Sequence, residues 1–203
     1  VHKQRISLLA NYSGKMLEAG LDEVGRGCLA GPVVAAAVIL PPDYAHPVLT
    51  DSKLLTKKQR EKLRDEICQA ALAWAVAEVP PRIIDQINIS KASFLAMHQA
   101  VAQLLVLPEF LIVDGNQFTS YPEMAHACIV KGDQKYYSIA AASVLAKTYR
   151  DDLMVKLSKQ FPAYGWDQNV GYPTMRHRQA IQQVGITPYH RLSFKLLPDV
   201  PQA

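Results

Sequence analysis

Apolar and polar positions along this chain fall into two kinds of block, period-two runs and helical faces, and the two kinds interleave. Met16 to Asp22 is an apolar segment leading into the turn Gly25-Arg26-Gly27, and Val33 to Leu40 is a β-branched run stopped by Pro41-Pro42. The pattern predicts two paired strands with a hairpin-like reversal at the glycines. Thr56 to Ala70 carries Lys, Arg, Glu and Gln around Leu63 and Ile67, which predicts a surface helix with Thr56 as its cap. From Leu72 to Val79, Leu72, Trp74 and Val76 alternate with Ala73, Ala75 and Ala77, the period of a strand that Pro80-Pro81 ends.

Ser90 to Leu107 places Phe94, Met97, Val101, Leu104 and Leu105 on one helical face, and Phe110 to Val113 follows as a short buried strand ending at Asp114. That order, helix then strand, predicts a crossover unit. Cys128 to Val130 reads as a further short strand, Ser138 to Phe161 as a long helix terminated by Pro162, and Thr174 to Val184 as another helix. The tail from Ile186 to Ala203 has three prolines and reads as irregular. The balance is α/β with helices gathered at the C-terminal end, and the absence of repeats or Gly/Ser linkers predicts one layered domain over 1–203.

Composition sharpens this picture. The 203 residues are 49% hydrophobic and 20% charged, which excludes disorder and coiled coil, and a chain of this size holds a core without disulfides or a structural metal. Its net charge of +4 permits a polyanionic partner without requiring one. Cys28, Cys68 and Cys128 form no CxxC and read as reduced, buried thiols. The longest apolar run, Val33 to Leu40, is too short to span a membrane, and no signal pattern opens the chain, so a cytoplasmic location is expected. No GxxxxGK[ST] is present, which argues against a P-loop NTPase.

Acids at strand ends carry the candidate chemistry. Asp22 and Glu23 stand where an apolar strand meets the glycine turn, Asp114 ends Leu111-Ile112-Val113 and precedes Gly115, and Asp133 sits just before the long helix. Adjacent strand residues point to opposite faces, so Asp22 and Glu23 share one site only where the chain turns or through the longer reach of Glu23. Carboxylates converging on one rim need a cation between them, and hard divalent ions take such oxygens, so Mg²⁺ or Mn²⁺ is the expected occupant. No HExxH is present, which disfavours zinc. Two ions roughly 3.5 to 4 Å apart suit in-line phosphodiester hydrolysis. Each acid taken alone is also ordinary turn chemistry, and spacing by itself does not establish convergence.

Gly20-Leu21-Asp22-Glu23-Val24-Gly25-Arg26-Gly27, continued by Leu29-Ala30-Gly31-Pro32-Val33-Val34, resembles the opening motif of the bacterial ribonuclease HII family. Asp51-Ser52-Lys53-Leu54-Leu55-Thr56, Val113-Asp114-Gly115-Asn116, Lys131-Gly132-Asp133 with Ser138 to Lys147, Gly171-Tyr172-Pro173-Thr174 and His190-Arg191-Leu192-Ser193-Phe194 resemble the family's later blocks, in the family's order. The resemblance covers about residues 16 to 195. It implies a ribonuclease H-like fold, a mixed sheet flanked by helices with a helical C-terminal part, divided near residue 150 from the catalytic core. It also implies that Asp22, Glu23, Asp114 and Asp133 are the catalytic acids and hold Mg²⁺ or Mn²⁺. The Gly25-Arg26-Gly27 turn and Tyr172 would detect the 2′-hydroxyl and sugar at an RNA-to-DNA junction, bare backbone at Gly25 and Gly27 permitting close approach.

Lys53, Lys147 and Arg191 are candidate phosphate contacts, to which Arg26 adds charge. Cys28 stands where many relatives carry proline and reads as a small buried residue, no base being visible to make it a nucleophile. The expected activity is cleavage of RNA in RNA:DNA hybrids and nicking on the 5′ side of single ribonucleotides in duplex DNA. The chain is expected to act as a monomer with no obligate protein partner and no membrane. The alternatives are another nuclease of the same fold, such as a junction resolvase, or an inactive nucleic-acid-binding module.

Overall fold

In the computed structural model, residues 8–50 and 52–198 are described. Asp51 of the Asp-Ser-Lys segment and the end of the proline-bearing tail lie outside them. Among the described residues five strands form one sheet in the order β3-β2-β1-β4-β5. They are β1 (Glu18–Val24), β2 (Val33–Ile39), β3 (Ala73–Val79), β4 (Phe110–Asp114) and β5 (His126–Ile129). The pairs β1/β2 and β2/β3 are antiparallel, while β1/β4 and β4/β5 are parallel, which makes the sheet mixed.

The helices are α1 (Lys57–Ala70), α2 (Pro81–Ile87), α3 (Ile89–Ala102), α4 (Tyr137–Gln160), α5 (Trp166–Asn169) and α6 (Met175–Val184). Helices α2 and α3 cover one sheet face, burying Ala19, Leu21, Ala35 and Val113 against Ile84, Ala96 and Met97. Helices α1 and α4 cover the other, burying Val34, Ala36 and Val38 against Leu63, Ile67, Ala141 and Leu145. Strands covered on both faces become continuously apolar, and β2 is buried at every position. Gly20 is the point where α4 crosses β1: a Cβ there would overlap the Ser138 and Ile139 backbone, so only glycine admits the helix this closely.

Local chemistry explains the helix starts. Thr56 Oγ1 accepts from Gln59 N at 3.3 Å while Gln59 Oε1 accepts from Thr56 N at 2.9 Å, a capping box for α1. Asn88 caps α3 by accepting from Ser90 N and Lys91 N, and Thr174 caps α6 through His177 N. Several expectations are corrected. Pro80-Pro81 ends β3 but also begins α2, with Pro81 in the first turn, where its missing N–H costs nothing. Helix α3 stops at Ala102, so Leu104 and Leu105 fall beyond it, and Leu105 is 97% exposed. Its buried stripe is Ala92, Ser93, Ala96, Met97, Ala100 and Val101. In β3 the alanines face inward and Trp74 is 43% exposed, because small side chains let the helices approach the sheet.

The C-terminal half of α4 leaves the sheet and joins α5, α6 and the tail around a second core of Met154, Leu157, Tyr164, Trp166, Ala180 and Ile181. Leu29 and Ala30, from the connection between β1 and β2, insert into this core. That insertion joins the glycine turn to the helical end of the chain.

Candidate active site

Parallel pairing sets the acids side by side. In the β1/β4 register Leu21 faces Val113, so the next residues, Asp22 and Asp114, emerge at the same end of neighbouring strands. Strand alternation turns both toward α4, on the side of buried Ile112 and Ile139. Asp114 Oδ1 accepts from Gly132 N at 2.7 Å, which ties the 3-10 turn Gly132–Gln134 to β4 and brings buried Asp133 to the same end. Glu23 points to the other sheet face, as alternation requires. It returns to the rim by its length, where a cleft of about 90 Å³ is lined by Glu23, Arg26, Ser90, Asp114 and Asn116.

The electrostatics record this crowding. Burial, reinforced by the charges of Glu23 and Asp114 and to a smaller degree Asp133, holds the Asp22 carboxyl well above the usual carboxylate range, against a hydrogen bond from Ser143. Burial also raises Glu23, opposed by Arg26, whose Nη1 donates to Glu23 Oε1 at 3.0 Å. Among the described residues no three Asp, Glu, His or Cys side chains are already drawn into a ligand cluster. Three of the four carboxylates are instead held by local donors: Asp22 by Glu23 N at 2.7 Å, Glu23 by Arg26, Asp114 by Gly132 N. The donor set fits a hard divalent cation all the same, since every candidate ligand is a carboxylate oxygen and a cation would offset the repulsion that raises Asp22.

Two participants were not visible beforehand. Ser143, on α4, bonds Asp22 and lies 2.9 Å from Ser52 Oγ, linking the Asp-Ser-Lys segment to the acids. Ser90, at the start of α3, lies 3.4 Å from Arg26 Nη2. Serines in helical segments carry no signal of their own in sequence.

Gly27 and Tyr172 come together although far apart in the chain: a Cβ built on Gly27 would lie 3.9 Å from Tyr172 Cε1. Tyr172 is 41% exposed, and Lys53 lies close enough to act on its phenol. Lys147 is engaged by Asp151, which also pairs with Arg60 at 3.7 Å. Arg191 is the correction. Expected among the phosphate contacts, it is 0% exposed and its guanidinium donates to Arg26 O and Gly31 O, so it supports the turn from inside. Cys28 is buried as expected, with Cys68 and Cys128 half-buried, and burial pushes all three thiols up, away from a thiolate role.

Behind Tyr172 a neutral histidine pair is fixed by its bonds. Trp166 Nε1 donates to His177 Nε2 at 3.0 Å, which leaves His177 Nδ1–H to donate to Tyr172 O at 3.0 Å. His190 Nε2, 3.2 Å from His177 Nε2, must then be the protonated nitrogen, and His190 Nδ1 accepts from Thr187 N at 2.9 Å. Burial holds both rings below the usual histidine range, His190 at about 4.

The acid-lined sheet end can be set against known proteins. A family model described as Ribonuclease HII matches residues 19–197. The ribonuclease HII of Bacteroides thetaiotaomicron is 58% identical over 95% of this chain and 96% of its own length, and that of Parabacteroides distasonis is 62% identical over 90% and 92%. The crystal structure of ribonuclease H2 from Pyrococcus horikoshii superimposes with a TM-score of 0.77 at 27% identity, covering 89% of this chain and 95% of that one. The mixed sheet with flanking helices is therefore a ribonuclease H fold. With acids gathered where its parallel strands end, and with relatives matching nearly end to end, the chain belongs to the ribonuclease HII family of endoribonucleases.

Proposed function

We propose that this chain cuts the RNA strand of RNA:DNA hybrids and nicks on the 5′ side of single ribonucleotides embedded in duplex DNA, leaving 3′-hydroxyl and 5′-phosphate ends. The observation that carries this reading is the pairing of an acid-lined sheet end with the Gly27/Tyr172 contact. Asp22, Glu23, Asp114 and Asp133 would hold Mg²⁺ or Mn²⁺, two ions during the reaction. Bound there, the metal supplies an activated water and stabilises the leaving oxygen.

The chain's own residues do the rest. Ser143 and the Glu23 amide orient Asp22, and Gly132 N orients Asp114. Gly25, Arg26 and Gly27 offer backbone to a 2′-hydroxyl, which both donates and accepts, and Tyr172 offers its ring to the sugar. Lys53, Lys147 and the exposed Arg26 would add positive charge for phosphate oxygens, Lys147 beside its partner Asp151 and Arg26 beside Glu23. We read 1–203 as one domain acting as a monomer, with 16–150 carrying the acids and 151–203 presenting Tyr172. Among the described residues no helix is long and apolar enough to cross a membrane, and the reading places the protein in the cytoplasm with its nucleic-acid substrate.

The test is incision of labelled duplexes with no ribonucleotide, one, or a run of them, in Mg²⁺, Mn²⁺ or chelator. Cutting confined to ribonucleotide-bearing strands and abolished by chelator is expected. Equal cutting of all-DNA duplex, the behaviour of a junction-type nuclease, overturns the reading.

A further inference from the structure

Arg150 and Arg191 are both fully buried, one from the middle of α4 and one from the tail. Taking guanidinium out of water is costly, so a fold retains it where its planar set of donors meets oxygens in fixed places. All but one of those oxygens belong to one short segment, Arg26 to Pro32. Arg191 donates to Arg26 O at 2.9 Å and twice to Gly31 O, at 3.0 and 2.9 Å. Arg150 donates to Pro32 O at 2.9 Å and Ala30 O at 3.0 Å, and with its remaining arm to Val170 O at 2.7 Å. Gly25 has φ +91°, and a Cβ on it would overlap Arg150 Nε, so the turn lies directly on that guanidinium.

The same segment is stitched to the C-terminal part of the chain, at Gly171 beside Tyr172 and at Tyr189 and Arg191. Leu29 N donates to Gly171 O at 2.8 Å, Gly31 N to Tyr189 O at 2.9 Å, and Arg191 N to Leu29 O at 2.8 Å. The Gly25–Gly27 turn and Tyr172 are the two elements that the ribonuclease reading assigns to the ribose. Arg150 joins the two, bonding Ala30 O and Pro32 O on the turn side and Val170 O two residues before Tyr172, while Arg191 fixes the turn itself through Arg26 O and Gly31 O.

We infer that Arg150 and Arg191 are positioning residues that set the spacing between the Gly25-Arg26-Gly27 turn and Tyr172, and through that spacing the preference for a ribonucleotide over a deoxyribonucleotide. The inference rests on the ribonuclease reading above. Burial pushes Arg191 down to about 10, so it keeps its charge at neutral pH. Lysine leaves an amine donor in place, but its donors radiate from one nitrogen and do not reproduce the planar fork that holds Arg26 O and Gly31 O.

Arg191→Lys and Arg150→Lys remove the fork and keep an amine donor. Binding is read by fluorescence anisotropy in EDTA, so that nothing is cut, using an all-DNA duplex and the same duplex with one ribonucleotide. The expected result is an all-DNA Kd within about twofold of wild type and a preference for the ribonucleotide duplex lowered about tenfold, the scale of one misplaced hydrogen bond. In a Tyr172→Ala background, Arg191→Lys should lower the preference little further, because the spacing it sets no longer has a second face. Preference kept in both lysine variants, additive effects with Tyr172→Ala, or parallel loss of both affinities through unfolding each overturns a positioning role. A wild type without preference overturns the functional reading itself, and the inference with it.

Discussion

Replacing Gly27 by alanine separates recognition from folding more sharply than any other single change. Gly27 is not among the glycines at positive φ, so alanine adopts its backbone without strain. Within 4 Å its Cβ would meet only Tyr172 Cε1, at 3.9 Å, an ordinary van der Waals distance. Stability should therefore hold or rise by about 0.4–1 kcal/mol, since alanine has fewer unfolded conformations to lose. For a chain of this size that is an increase in Tm of about 1–4 °C. The added methyl nevertheless stands between the turn and the tyrosine ring, where the reading above puts the ribose. Holding a hydroxyl away from its backbone partner costs about 1–3 kcal/mol, a loss of roughly 5- to 150-fold.

The assay is kcat/KM on a duplex with one ribonucleotide, together with the Kd of the all-DNA duplex and Tm by calorimetry. Gly25→Ala is the opposite case: φ +91° and the overlap with Arg150 Nε predict a lowered Tm and loss of both affinities. A Gly27→Ala protein of undiminished Tm whose kcat/KM stays within twofold of wild type would refute the reasoning, and so would a large drop in Tm.

Asp22→Asn should abolish incision yet raise Tm in EDTA. The folded-state pKa of Asp22 is raised, so its contribution to stability is present at acid pH and is lost as pH climbs from the ordinary carboxylate range through the raised value. Asparagine removes that loss, and a Tm equal to or below wild type at neutral pH counts against the crowding described. Arg26→Gln removes the cation 3.0 Å from Glu23, so Glu23 should protonate more readily and the acid limb of the pH-rate profile should move to higher pH, whereas an unmoved limb denies the pair a role. For His190 the shift runs the other way. With a folded pKa of about 4 against 6.5, its contribution is complete above pH 6.5 and is lost as pH falls toward 4, by about 3 kcal/mol. Urea titrations at pH 7.5 and 4.5 should show that slope in wild type and a flatter one in His190→Gln.

Much of the scaffold was legible because it is written in local contrast. The capping residues Thr56 and Thr174, the β-branched run of β2, the glycine turn and the acid after Leu111-Ile112-Val113 each announce an element or an end within a few residues. Short helices were not: α2 and α5, of 7 and 4 residues, make too few turns to show a period, and Pro80-Pro81 reads first as a stop. The end of α3 was missed because Leu104 and Leu105 continue its spacing after the backbone has left the helix.

What the amino-acid order determined by itself was the inventory: acids at strand ends, a bare turn, a tyrosine among C-terminal motifs, and a basic residue in His190-Arg191-Leu192. Where each one points was decided only by the fold. Asp22 and Asp114 are neighbours because β1 and β4 run parallel in one register, and Glu23 reaches the same rim from the other sheet face. Arg191 illustrates the limit, since by composition it is a solvated cation offered to phosphate. Its actual partners, Arg26 O and Gly31 O, lie 165 and 160 residues away along the chain. A backbone carbonyl has the same chemistry at every position and leaves no mark in a sequence, so a buried arginine and an exposed one become distinguishable only when the chain brings those oxygens to it.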